Sequence, residues 1–99
     1  MSTPQPGPAT EDATCRLDAW LWHVRVLSTR SACSRLVEDR GVRINGRVTE
    51  KPGARLHPGD VVTFAIGQRV RVLRVLALST RRGSATEAAR LYEDLSPPR

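Results

Sequence analysis

At Gly41 the spacing of apolar residues changes from three and four to two, and that switch constrains what the chain can fold into. Before it, Leu17, Trp20, Leu21, Val24 and Leu27 fall at i, i+3, i+4, i+7 and i+10, one apolar stripe at helical period. The spacing predicts a first helix over 16–27, with Asp18, Trp22 and Arg25 off the stripe. Ser28 and Thr29 offer an N-cap, and Ala32, Cys33, Leu36 and Val37 predict a second helix over 30–40. Gly41 suits the left-handed position that closes it. Two helices joined by so tight a link pack as a hairpin.

Beyond Gly41 the period is that of a strand. Val42 and Ile44 alternate with Arg43, Asn45-Gly46 forms a tight hairpin turn, and Arg47 and Val48 begin the return. Thr49 to Arg55 reads as loop and His57-Pro58-Gly59-Asp60 as a turn. Val61 to Ile66 and Arg69 to Leu78 are strands around Gly67-Gln68, and a bulge near Val72 would put Val70 and Val72 on one face with Leu73 and Val75. Ser84-Ala85-Thr86-Glu87 is a capping box. It opens a short helix that buries Ala85, Ala88, Leu91, Tyr92 and Leu95 and ends at Pro97-Pro98. Helices, then strands, then a helix describe an α+β domain.

A chain of 99 residues makes one domain. Residues 1–15, rich in Pro, Ser, Thr and Ala, are expected to be a disordered tail, with the folded domain over 16–95. Cys15 falls in the tail as a free thiol and Cys33 in the core, which suits a reducing, cytoplasmic compartment. No apolar run reaches the roughly 20 residues of a membrane span, and no signal pattern precedes the domain.

Sixteen basic residues against ten acidic ones leave a net charge of +6 and a pI near 10.9, the footprint of a nucleic-acid binder. All but Lys51 of the basic residues are arginine, whose planar fork fits phosphate and stacks on bases; a GC-rich genome would produce the same ratio without the net excess. Catalysis has no support. His23 and His57 read as surface residues of a helix and a turn, and no metal, nucleophile or cofactor-binding motif is present.

The cations are better organised. Arg16, Arg25, Arg30, Arg35, Arg40, Arg43, Arg47 and Lys51 are opposed between positions 16 and 51 only by Asp18, Glu38, Asp39 and Glu50. Arg30 stands at a helix N-terminus, which already favours an anion. Arg35 and Arg40 read equally well as solvated helix charges. Asn45 could reach a base edge or a 2′-hydroxyl, but is first a turn former. Asp18 orients Arg16, Arg25 or Arg30 rather than touching a polyanion. Trp22 is expected to be covered by the tail or the last helix.

Arg16-Leu17-Asp18, Trp20-Leu21-Trp22, Arg25, Thr29-Arg30-Ser31, Gly41-Val42-Arg43-Ile44-Asn45-Gly46, Lys51-Pro52 and Gly59-Asp60 together resemble the S-four RNA-binding domain over 16–62. The opening block and Ser84 to Glu93 resemble, within that superfamily, the bacterial fifteen-kilodalton heat-shock protein family. The resemblance implies an S-four (alpha-L) like fold: a two-helix hairpin on a small, bent antiparallel sheet, plus a short C-terminal helix. It implies no enzyme and no cofactor. The implied partner is structured RNA, ribosomal RNA of the large subunit, on free subunits that still carry nascent chains on tRNA, in a stress-linked rescue or recycling role. Motif matching makes Arg16, Arg25, Arg30, Arg35, Arg43, Asn45, Arg47 and Lys51 the expected RNA-binding residues of a monomer. Family members often carry a long basic C-terminal extension, which is not expected after Ser96-Pro97-Pro98-Arg99. A general DNA-binding module and a protein-interaction module, using Trp22 and the last helix, remain the alternatives.

Overall fold

The apolar stripe of the first helix points inward. In α1 (Leu17–His23), Leu17, Trp20 and Leu21 are fully buried, and the Trp20 indole N–H donates to the Ala77 carbonyl at 3.1 Å, so its one polar atom is satisfied. The computed structural model describes residues 14–98. The expected disordered tail lies, up to residue 13, outside the described residues. Cys15 is not in that tail. It is buried in β1 (Cys15–Arg16), opposite Leu56 of β4 (Arg55–Leu56). This two-residue pairing is long-range, and no local pattern announces it.

The same loop caps α1. Arg16, at the N-cap, offers no side-chain bond; instead the carbonyls of Ala54 and Pro52 accept from Leu17 N at 2.8 Å and Asp18 N at 3.1 Å. At its other end α1 stops at His23, short of the predicted Leu27. The Trp22 and Leu21 carbonyls accept from Arg25 N and Val26 N, each at 3.0 Å, with Arg25 at φ 66. That is a Schellman closure, and its left-handed position holds an arginine where glycine is usual. Apolar periodicity alone therefore runs on past the stop.

α2 (Arg30–Arg40) begins and ends as predicted. Thr29 Oγ1 accepts from Ala32 N at 3.0 Å, and Gly41 follows at φ 76. Cys33, Leu36 and Val37 face the core. β2 (Val42–Ile44) and β3 (Arg47–Thr49) close around Asn45 and Gly46, both at positive φ. With β5 (Val61–Ile66), β6 (Arg69–Val75) and β7 (Tyr92–Asp94) they form an antiparallel sheet in the order β3-β2-β5-β6-β7. Its inner face, Val42, Val62, Phe64, Leu73 and Val75, packs under the helical hairpin with Leu56.

Two expectations for the second half are corrected. The β5–β6 register runs unbroken from Val61↔Arg74 to Ile66↔Arg69, so there is no bulge at Val72. Val70 and Val72 occupy the outer face, paired with Ala65 and Thr63. The last helix is α3 (Ala85–Ala89), with the capping box as read: Ser84 Oγ accepts from Glu87 N, and Glu87 Oε1 accepts from Ser84 N at 2.9 Å. Tyr92–Asp94 is strand, not helix, and the chain beyond it is irregular. β7 covers the open edge of β6, and Leu95 N continues the pairing to the Val72 carbonyl at 2.7 Å. An edge with unpaired N–H and C=O groups outweighs the weak helical preference of this segment. The fold is the expected helical hairpin on a bent antiparallel sheet with a short C-terminal helix.

Gly41 offers a direct test of this frame. At φ 76 and ψ 152 only glycine is at ease, and a Cβ would lie 3.2 Å from Val48 Cγ1. Gly41→Ala is expected to lose about 1–3 kcal/mol in urea unfolding. Gly59→Ala, at φ 97 but with nothing within 4 Å, should lose less. Equal losses would mean that the packing of Gly41 on β3 is unimportant.

Candidate nucleic-acid interface

Asp18 lies in the first turn of α1 and is only 2% exposed. Its carboxylate is fully engaged. Arg16 donates through Nε to Oδ1 at 3.1 Å and through Nη2 to Oδ2 at 3.2 Å; Ser34 Oγ donates to Oδ2 at 2.7 Å; Arg30 Nη2 stands 3.6 Å from Oδ1. Burial pushes the carboxyl up, but the bonds from Arg16 and Ser34 and the charges of Arg16 and Arg30 outweigh it. Its pKa rests below the usual value. Two guanidiniums thus share one negative charge, and each is 48% exposed, so both present unused donors to solvent. Arg16 also lies against the loop that begins at Lys51, since a side chain on Gly53 would come within 3.6 Å of its guanidinium.

The helix and the hairpin add charges that stay uncompensated. Arg35, Arg47 and Lys51 are exposed and make no ion pair among the described residues. Arg40 and Arg43 donate to the carbonyls of Gly67 and Gly46, each at 3.1 Å, which are neutral acceptors that leave the charges intact. Arg35 and Arg40 do not pair with Glu38 or Asp39. The expected set does not form one ledge, however. Arg16, Arg30 and the Lys51 loop gather at Asp18. Arg43 shares a shallow groove on the outer sheet face with Arg40, Val48 and Val70, whereas Arg47 sits beside Ile44 on the other face of the hairpin. Arg25 turns away from Asp18 to the Gly83 carbonyl, at 2.9 Å.

Asn45 is structural. Its Nδ2 donates to Asp60 Oδ1 at 3.0 Å and its Oδ1 accepts from Val61 N at 2.9 Å, tying the hairpin turn to β5 and leaving one N–H and one lone pair of the exposed amide unused. His23, expected at the surface, is 5% exposed, and its Nδ1 has no partner. Burial, and then the Arg30 charge, lower its pKa, so it is neutral at pH 7. Trp22 is half-buried, with the Arg82 guanidinium 5.6 Å from its ring centroid; the tail expected over it lies, up to residue 13, outside the described residues. Sequence reasoning missed Arg81 and Arg82. Only their adjacency in a Ser/Thr/Gly stretch set them apart, and it takes the fold to bring Arg82 back to α1. No group of three or more His, Cys, Asp or Glu able to hold a metal occurs among the described residues.

The model of the S4 domain family matches residues 15–62. A heat shock protein 15 homolog of Aeromonas salmonicida is 39% identical over 89 residues, covering 90% of this chain and 67% of that one. Small ribosomal subunit protein uS4 of Pseudomonas putida (strain KT2440) is 35% identical over 72 residues, covering 70% of this chain and 34% of that one. The solved heat shock protein 15 of Vibrio cholerae, described as trimeric, superposes with a TM-score of 0.76 at 33% identity, covering 83% of this chain and 82% of that one. The chain spans 60–67% of the length of the heat-shock relatives it matches.

Asp18→Asn keeps the shape of the side chain but not the charge that gathers the guanidiniums. At pH 7 it is expected to lower stability by about 1–3 kcal/mol. The folded carboxyl titrates below its unfolded value of roughly 3.9, so its contribution is complete above that pH and fades as pH falls through the folded value. Urea unfolding from pH 7 down to 3 should show wild type and variant converging below about pH 4. A constant gap would mean that the charge is not what stabilises.

Proposed function

The chain belongs to the S4-domain family of heat shock protein 15, and from that premise we propose that it is a non-enzymatic RNA-binding protein that grips structured ribosomal RNA on the large subunit. There it assists rescue or recycling of stalled or dissociated subunits that carry nascent chains, with peptidyl-tRNA within reach. The observation that carries this reading is the pair of half-exposed guanidiniums held on buried Asp18 beside the Lys51 loop. Arginine pairs well with phosphate through two parallel bonds. Here the fixing of the side chains precedes binding, so less freedom is lost when RNA arrives. Arg35 and Lys51, free of ion pairs among the described residues, extend the surface as plain phosphate contacts. The whole arrangement lies within one chain, which supports a monomer as the binding unit, in the cytoplasm where ribosomes work. No helix among the described residues is long and apolar enough to cross a membrane.

The affinity for large-subunit ribosomal RNA should fall with salt at a log–log slope of about −0.7 to −0.9 per phosphate contact. Lys51→Ala and Arg35→Ala should each weaken binding and reduce that slope by about one such unit. Asp18→Asn should weaken binding too, although it takes a negative charge from the interface, because Arg16 and Arg30 lose their anchor. If it binds more tightly, the carboxylate merely repels phosphate and the reading of the clamp is wrong. Duplex DNA as competitor separates RNA recognition from general polyanion binding; equal competition defeats the former.

In a sucrose gradient of cell extract at low salt, the protein is expected with free large subunits. Recovery only at the top of the gradient would refute the ribosomal assignment while leaving RNA binding to be judged by the first experiment.

A further inference from the structure

The loop over 79–84 lies outside the matched S4 segment, yet it is fastened to the link between α1 and α2 from both sides. Arg82 donates through Nε to the Trp22 carbonyl at 3.2 Å and through Nη2 to the Leu27 carbonyl at 3.4 Å, with its guanidinium over the Trp22 ring. In return Arg25 Nη1 donates to the Gly83 carbonyl at 2.9 Å. We propose that this loop is a second RNA-contact element, in which Arg25, Arg81 and Arg82 hold the nucleotide backbone of the same structured RNA alongside Trp22. The proposal rests on the RNA-binding reading above and extends it to Arg81 and Arg82, which the family's matched segment does not include.

Three observations carry it. First, every acceptor that Arg25 and Arg82 use is a carbonyl, so their positions are fixed while their charges remain uncompensated. A loop held only for stability would be served as well by neutral donors. Arg81 does pair with a carboxylate, Glu87, at 3.2 Å, but the two side chains are 68% and 53% exposed. Such a pair is weak in water, and Glu87 also serves the capping box, so phosphate can take the Arg81 end. Second, Arg25 occupies a left-handed position at φ 66 that disfavours any side chain. Departures from local preference concentrate where a function requires the residue. Third, the patch is continuous with the first interface. Leu27, whose carbonyl Arg82 holds, stands three residues before Arg30, whose guanidinium sits on Asp18. One RNA strand could therefore run from the Asp18 clamp across the start of α2 to the loop. Guanidinium planes and aromatic rings are the surfaces on which unpaired bases stack, which suits the Trp22–Arg82 pair to a bulge or a loop of RNA.

Filter binding of the full chain to purified large-subunit ribosomal RNA, across a salt series, tests the proposal, with thermal unfolding run in parallel. Arg81→Gln/Arg82→Gln should lower the magnitude of the salt slope by about 1.4–1.8, two phosphate contacts. Arg25→Gly is the more telling variant. Glycine suits the left-handed position, so folding should be preserved or improved, while the slope drops by about 0.7–0.9. Trp22 fluorescence should change when RNA binds, and the change should vanish in Trp22→Phe. Unaltered slopes in Arg25→Gly and Arg81→Gln would overturn the proposal. So would lower melting temperatures in the Arg82 variants with an unaltered slope, since the loop would then be only a latch. Either result, with Arg30→Gln and Lys51→Gln still losing affinity, would leave the first interface standing. A wild-type chain that does not bind this RNA at all would remove both readings together.

Discussion

The buried carboxylate of Asp18 is the point at which the separate parts of this molecule meet. Its own backbone N–H is capped by the Pro52 carbonyl, its oxygens receive Arg16 from β1 and Ser34 from α2, and Arg30 closes the ring. An ionised group so enclosed is tolerable only because charged and neutral donors satisfy both oxygens. The interaction therefore does two things at once. It fastens the helical hairpin to the loop that follows the β-hairpin, and it aligns two cations that remain half in water. Removing the charge would loosen the helical hairpin and release both guanidiniums by the same event.

Elsewhere the chain separates its charges by what they are bound to. In the C-terminal half, Arg71 and Arg74 are matched across the sheet by Asp94 and Glu93, at 3.3 and 3.0 Å. These pairs fasten β7 to β6 and cancel. Elsewhere the arginines are held mostly by carbonyls: Gly83 for Arg25, Gly67 for Arg40, Gly46 for Arg43, Trp22 and Leu27 for Arg82. A carbonyl directs a guanidinium without neutralising it. Within a net charge of +6, these carbonyl-held cations therefore stay uncompensated.

The helical hairpin and the β2–β3 ribbon could be read from the chain because their signals are local. Thr29 caps, Gly41 ends, and Asn45-Gly46 turns, each through a conformation that its own residue type favours. The errors share the opposite cause. The end of α1 depends on Arg25 accepting a conformation it does not prefer, so no residue announces it. The helix expected through Leu95 gives way at Tyr92–Asp94 to a strand because the edge of β6 lies beside it, a fact of the sheet and not of the segment. His23 is off the apolar stripe yet lies buried, which helical period alone does not foresee.

The candidate site divides along the same line. Which residue types are present, their excess of charge, and the motif order that marks the S4 domain are properties of the sequence alone, since they involve spacing within short segments. The tertiary structure alone decided that Asp18 collects Arg16 and Arg30, that the Asn45 side chain ties the hairpin to Asp60 and Val61, and that the distant Arg82 returns to Trp22. The physical reason is range. Periodicity and capping report on neighbours a few residues apart, whereas a guanidinium chooses its acceptor among all groups that the fold brings within about 3 Å.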